Sequence, residues 1–403
     1  MAGFRWVVAG LLFGASALSF FDRQVLSVLA PRILADLGIG NVEYASAVSA
    51  FTLAYSVMFT LGGRAIDFVG TRAGLGVAVA FWTVASLLHA SVRGAGDLTV
   101  YRFLLGVGEG GCFPGAARGI LEWFPAKERA LAMGIATTGG SAMGAVLAPP
   151  LIVWVSSVVG WRGAFLATGA IGVVWVALWF LLYRKPAGVV TSRAVEKPWP
   201  MGSLLARKEV WGLLAARFVF DPVFYFYMFW IPQYLSRERG ASLEQIGRLA
   251  WIPFLTLGVS SLLGGAVSDG LVRRGWSIDR ARKTVMAAAA LLTPVSMLAM
   301  AAPDAFWAVV LMAVLMFAHG FWMTNYMTMI GDLFPAASVG TVVGLTGTAG
   351  GLAGFLSSLA VGRIVEAVSF GPVIVACGVL YPVGLAVLLV TIPRVERLEV
   401  RQG

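Results

Sequence analysis

Twelve stretches of about twenty residues, each almost free of charge and dominated by apolar side chains, constrain this chain more than any other feature. They lie at residues 5–30, 45–65, 73–92, 98–121, 130–154, 163–183, 210–235, 245–268, 284–302, 306–330, 340–362 and 371–392. Backbone N–H and C=O groups inside hydrocarbon must find partners within the chain, so runs of this length predict membrane-crossing α-helices. The runs are unbroken and do not alternate with a period of two, which excludes a transmembrane barrel. The first run resembles a signal peptide, with Arg5 ahead of an apolar stretch and small residues at Ala15–Ala17. It continues to Ala30, however, and is read as a span. Composition agrees: 59% of residues are hydrophobic, 12% are charged and 49 are glycine. Two cysteines and two histidines leave no material for a disulfide framework, a zinc cluster or a haem site, and no cofactor is expected.

The longest polar stretch, Arg184–Lys208, contains Arg184, Lys185, Arg193, Lys197, Arg207 and Lys208. It separates an expected six-span bundle at 1–183 from a second at 210–403, with a linker at 184–209 between them. The halves repeat. Leu61-Gly-Gly-Arg-Ala-Ile-Asp67 recurs as Leu263-Gly-Gly-Ala-Val-Ser-Asp269, and Glu122-Trp-Phe-Pro-Ala126 as Asp332-Leu-Phe-Pro-Ala336. Matched motifs in two six-span halves imply related bundles about a central path. Orientation follows from the loop cations, 19 on the side of the termini and linker against seven on the other. Both termini and the linker are therefore expected in the cytoplasm, with the chain in the cell (inner) membrane. The net charge of +10 is a topology signal and implies no nucleic-acid partner.

Setting aside the loop cations, and Arg118 near the inner end of span four, leaves Arg23, Arg102 and Arg217 at membrane depth, with the acids Asp22, Glu109 and Asp221. Ionisable groups there are costly and mark function by default. Arg217 and Asp221 are four apart on span seven, one helix face, and read as a structural pair beside Pro222. Arg102 and Glu109 lie seven apart on span four, about 10.5 Å along the axis, so each needs a partner from elsewhere. Asp22 and Arg23 are consecutive and point about 100° apart, so neither satisfies the other. Four ionisable groups on spans one and four point to one buried polar site. Asp22 or Glu109 would handle protons there, and an arginine would receive an anion.

Glycine pairs Gly106/Gly110, Gly140/Gly144, Gly340/Gly344 and Gly350/Gly354, and the series Gly111/Gly115/Gly119, have the spacing of close helix contacts. Gly106-Val-Gly-Glu-Gly-Gly111 fits a dinucleotide fingerprint only in letters, since no strand precedes it. No Gly-Lys-Ser/Thr occurs, so ATP is not hydrolysed through a phosphate loop. In the second half Asn325 and neighbouring tyrosines suit hydroxyl recognition, and Tyr55 on span two suits the same cavity. His319 reads as a hydrogen-bonded core residue before a proton site, and is kept as a candidate substrate contact. Cys112 and Cys377 read as core fillers.

Over nearly its whole length the chain resembles the major facilitator superfamily. Gly63-Arg-Ala-Ile-Asp67-Phe-Val-Gly-Thr-Arg72 resembles its loop 2–3 signature, with Phe68 standing where arginine is usual. Asp22-Arg23 on span one, Arg102 with Gly108-Glu109 on span four, and Glu122-Trp-Phe-Pro-Ala-Lys-Glu-Arg129 resemble the anion:cation symporter family. Arg217-Phe-Val-Phe-Asp221-Pro222, Arg273-Arg-Gly-Trp276 and Gly340-Thr-Val-Val-Gly344 are similar to the hexuronate transporter branch. The resemblance implies an all-α fold of twelve transmembrane helices in two six-helix bundles. It also implies a proton-coupled symporter of sugar acids such as galacturonate or glucuronate; separately, a monomer is expected. Substrate contact would fall to Arg23, Tyr55 and Asn325, with Arg102 and His319 beside them. Proton handling would fall to Asp22 and Glu109, and a cytoplasmic gate to Asp67, Arg72 and Asp269.

The rival readings are a proton-independent exchanger of organic or phosphorylated anions and a non-transporting receptor. An enzyme is not expected, because no His-Glu-x-x-His or paired intramembrane aspartates occur.

Overall fold

The computed structural model describes residues 3–184 and 199–399; residues 185–198, most of the expected linker, lie outside the described residues. Ten helices among the described residues are long and apolar enough to cross a membrane. One of them, Leu131–Leu182, has 52 residues and would measure about 78 Å if straight, more than twice the hydrocarbon thickness. Gly160, at φ 74° and ψ 172°, takes a conformation that side chains disfavour and turns the chain back. The segment therefore supplies spans five and six.

Span four is absent from the ten because it is interrupted between Ala95–Glu109 and Cys112–Trp123. Pro114 has no N–H to give the Gly110 carbonyl, and Gly111 N–H turns instead to Gly108 O at 3.4 Å. The break thus falls directly after Glu109. The remaining crossings are span one at Phe4–Leu37, two at Asn41–Val69 and three at Thr71–Leu88. Span seven is Lys208–Arg239, and span eight is Leu243–Leu249 with Ile252–Arg273. Span nine is Ile278–Leu292, extended by a 3₁₀ stretch to Ala301; ten, eleven and twelve are Ala305–Leu333, Ala336–Ala367 and Gly371–Thr391. The fold is all-α, with twelve crossings in two bundles.

Close approach is achieved where glycine leaves room. A Cβ at Gly106 would overlap Phe51 O, one at Gly108 the Trp82 backbone, and one at Gly110 Met58, which seats span four on spans two and three. Gly140 and Gly144 bring span five against Phe13 O and Ala17 O of span one. Gly340 and Gly344, by contrast, have nothing within 4 Å, so their spacing carries no helix contact. Leu262, Leu291 and Val390 are largely exposed on the helix surfaces, the pattern expected when the solvent is lipid.

The chain forms two compact units whose bounds differ from the halves of the repeat. The first comprises Met1–Val189 with Tyr225–Trp251 and Gly354–Phe370; the second comprises Val190–Phe224, Ile252–Ala353 and Gly371–Gly403. Parts of spans seven, eight and eleven therefore pack with the first six spans. Within this unit, on the side away from the N-terminus, Tyr44 OH donates to Phe229 O at 2.5 Å, and Ser27 Oγ lies within hydrogen-bond reach of Met228 O and Phe229 O. Asn41 Nδ2 donates to Glu366 Oε2 at 2.7 Å and Ser49 Oγ to Phe355 O at 3.1 Å.

Candidate functional site

The first unit gathers the membrane-depth charges of spans one and four into one buried cluster. Arg23 Nε donates to Glu109 Oε2 at 2.6 Å, Ser19 Oγ donates to the same oxygen at 2.8 Å, and Arg23 Nη2 reaches Ser19 Oγ at 3.2 Å. Glu109 is 0% exposed and Arg23 4%. The guanidinium is packed by aromatic rings, its Cζ lying 4.4 Å from the Tyr55 ring centroid, 4.8 Å from Phe20 and 5.3 Å from Phe51. These faces favour a cation and hold it in one orientation.

Asp22 turns the other way, as its one-residue offset requires. It accepts from Ser86 Oγ of span three at 3.0 Å, and Ser86 meets Thr168 Oγ1 of span six at 3.3 Å. Gln24 fastens the same helix to span five through Ala145 O at 3.0 Å. Arg102 is 1% exposed, and its three guanidinium nitrogens have no hydrogen-bond acceptor among the described residues. Asp22, Glu109 and Tyr44 lie within its electrostatic reach. Glu109 Oε1 likewise has no donor among the described residues. Two acids and two arginines thus share one low-dielectric interior with hydrogen bonding incomplete. Such an arrangement is costly as architecture alone.

The second unit holds Asn325 and His319 on span ten. Asn325 Nδ2 donates to Gly264 O at 3.1 Å and Phe321 O at 2.9 Å, while its Oδ1 has no donor among the described residues. His319 Nδ1 meets Tyr381 OH, and its ring stacks on Phe224 at 5.2 Å. That environment is the hydrogen-bonded core histidine expected first. Arg217 and Asp221 pair at 2.9 Å, and Cys112 and Cys377 are buried.

At the ends of spans two, four and six, Arg118 bridges Asp67 at 2.5 Å and Glu122 at 3.1 Å; Thr71 and Tyr183 also donate to Glu122, each at 2.7 Å. Arg72 instead donates to Phe180 O at 2.6 Å. The second unit builds the same motif from another helix: Arg282 of span nine bridges Asp269 at 2.7 Å and Asp332 at 3.2 Å. The acids follow the sequence repeat, but their arginines come from span four in one unit and span nine in the other. By position alone Arg118 and Arg282 are indistinguishable from the cations of loops and helix ends. Ser19, Ser86 and Thr168 carry no spacing signal, because small hydroxyls are common in membrane helices.

Two bundles of six crossings with a buried charged cluster define a membrane transporter, not an enzyme. The chain belongs to the Major Facilitator Superfamily, whose model matches residues 12–358 and 274–402. It is 28% identical to the hexuronate transporter of Escherichia coli K12, the alignment covering 99% of this chain and 96% of that protein. It is 29% identical to the D-galactonate transporter of Escherichia coli O6:H1 strain CFT073, over 98% and 96% of the two chains. Among solved structures, a bacterial homologue of the human lysosomal transporter Spinster, in an inward-facing and occupied conformation, superposes with a TM-score of 0.73. That match has 20% identity and covers 96% of this chain and 95% of the other. Proteins of sugar-acid transport thus align with the chain end to end, and its own role is membrane transport.

Proposed function

We propose that this carrier is a proton-coupled symporter that imports an organic anion, foremost a sugar acid such as galacturonate or glucuronate. The observation that carries this reading is Glu109 seated on Arg23. A substrate carboxylate needs the same guanidinium that Glu109 holds, and a proton on Glu109 removes the competing charge. Proton and substrate then favour the same occluded state, which is what coupling requires. Asp22, hydrogen-bonded to Ser86, is the second proton-handling acid, and Arg102 the second cation facing the anion. Tyr55 and Asn325 supply polar groups for hydroxyls. The named transport of hexuronate and D-galactonate by the aligned relatives supports a substrate with one carboxylate and several hydroxyls.

In the cycle we infer, Glu109 and Asp22 protonate from outside, the anion binds Arg23, and the two halves, 1–183 and 210–403, rock about it. Deprotonation into the cytoplasm returns Glu109 to Arg23 and expels the substrate. The arginine–acid bridges at Asp67 and Asp269 brace the helix ends within each half, on the side we assign to the cytoplasm together with both termini.

Glu109→Gln in proteoliposomes tests the reading with D-galacturonate. Uptake against its gradient, driven by an inward proton gradient, is expected to vanish, while exchange of labelled for unlabelled substrate persists. Concentrative uptake by Glu109→Gln would overturn the assignment. Uptake by the unaltered protein that ignores the pH gradient and needs internal anion would identify an exchanger instead.

A further inference from the structure

A cavity of about 440 Å³ lies at the ends of spans two, three, four and six, apart from the buried charged cluster. Its size falls within the range of small-ligand sites, about 300–1,000 Å³. It is bordered by the turn from Val69 to Ala73, where span two gives way to span three, by Arg118 and Glu122 of span four, and by Phe180 and Tyr183 at the end of span six. Neither Arg23 nor Glu109 borders it. Every one of these bordering residues belongs to the first compact unit.

Of the charged residues on this border, two have their partners and one does not. Glu122 accepts from Arg118 Nε at 3.1 Å, Thr71 Oγ1 at 2.7 Å and Tyr183 OH at 2.7 Å. Arg118 is engaged by Glu122, by Asp67 and by the Ile66 carbonyl. Arg72 has no acidic partner among the described residues; its Nη2 donates to Phe180 O at 2.6 Å. That bond, together with Trp179 Nε1 donating to the Arg72 carbonyl at 2.9 Å, fixes where the cation sits. A guanidinium held by one nitrogen keeps further N–H donors, in the fork that suits phosphate. Arg72 was expected at a cytoplasmic gate, but its observed partners are all on span six of its own bundle.

The rest of the border is suited to an amphiphile. Val69, Ala73 and Phe180 are apolar and exposed at the helix surface. One turn deeper, spans three and six close on each other, since a Cβ on Gly76 would overlap Phe180 Cζ and Trp179 Cδ1. The open space is thus confined to the helix ends, at the depth of lipid headgroups. Beyond it, exposed Val77 and Val84 of span three and Val173 of span six continue an apolar surface into the hydrocarbon. A basic residue that served topology alone would need no cavity and would favour no lipid over another. A soluble phosphate would leave the apolar part of the border unused.

We propose that this cavity binds the headgroup of one anionic phospholipid, with the phosphate on Arg72 and the upper part of an acyl chain against Ala73 and Phe180. The site stands apart from the transport cycle and does not depend on which anion is carried.

The full chain, purified in detergent and given equimolar phosphatidylglycerol and phosphatidylcholine, tests this by native mass spectrometry of the lipids that stay bound. One phosphatidylglycerol is expected to remain, preferred over phosphatidylcholine by about tenfold or more. Arg72→Gln removes the cation, and Ala73→Trp fills the cavity while keeping it. Both are expected to bring the preference to within about twofold of none. Arg64→Gln removes an exposed cation of span two that does not border the cavity, and should leave the preference unchanged. Inorganic phosphate and glycerol phosphate should not displace the lipid. Displacement by either would identify a site for soluble phosphates and overturn the lipid assignment. Equal retention of the two lipids by the unaltered protein would overturn it too, as would a preference that survives either cavity variant. Loss of the preference in Arg64→Gln would do the same, by showing diffuse attraction to the basic surface. Should Arg72→Gln fail to fold, Ala73→Trp decides alone.

Discussion

At the scale of single residues, the chemistry turns on which partner each buried charge finds. Consecutive Asp22 and Arg23 diverge by about 100° around span one, Asp22 to Ser86 and Arg23 to Glu109. The helix period alone made their divergence legible. It could not say that Glu109 would choose Arg23 over Arg102, because that depends on how spans one and four are rotated against each other. Arg23 is a planar cation wedged among three rings and hydrogen-bonded through two of its nitrogens. An ammonium keeps the charge but neither the stacking nor the fork. Arg23→Lys is therefore expected to weaken D-galacturonate binding by about tenfold or more, read by calorimetry on the purified protein. Unchanged affinity would place the substrate carboxylate elsewhere, with Arg102 the next residue to test.

At the scale of helices, glycine spacing proved legible only where the structure supplies a neighbour. Gly106 and Gly344 stand in identical small-xxx-small patterns, yet only Gly106 has a backbone carbonyl pressed against it. Gly106→Val should lower the thermal unfolding temperature, since overpacking costs on the order of 1–3 kcal/mol. Gly344→Ala should leave it unchanged or slightly raised, because alanine is the better helix former. Scanning fluorimetry of the two variants in one detergent separates them, and equal losses would refute the packing assignment. The interruption of span four next to Glu109 belongs to the same scale. Pro114 announces it, but only the observed bonds of Gly110 and Gly111 locate it.

At the scale of the whole molecule, the basic residues set the expected orientation and the repeat set the halves. The orientation is open to direct test. Phe68, 92% exposed beyond the motif glycines of span two, is expected on the cytoplasmic side; Val158, 70% exposed near the Gly160 turn, is expected on the other. With Cys112 and Cys377 replaced, a membrane-impermeant maleimide applied to intact cells should label Val158→Cys and spare Phe68→Cys until the membrane is opened. The reverse pattern would invert the topology.

The sequence by itself determined the twelve crossings, their apolar surfaces and the identity of the buried acids and arginines. Each follows from local physics: hydrocarbon thickness, helix period and the cost of charge in lipid. Only the tertiary structure decided that Glu109 lies on Arg23 and that Arg118 and Arg282 answer the repeated acids. Those outcomes depend on the rotation and depth of one helix against another. A shift of one residue turns a side chain by about 100° and is invisible in a run of apolar letters.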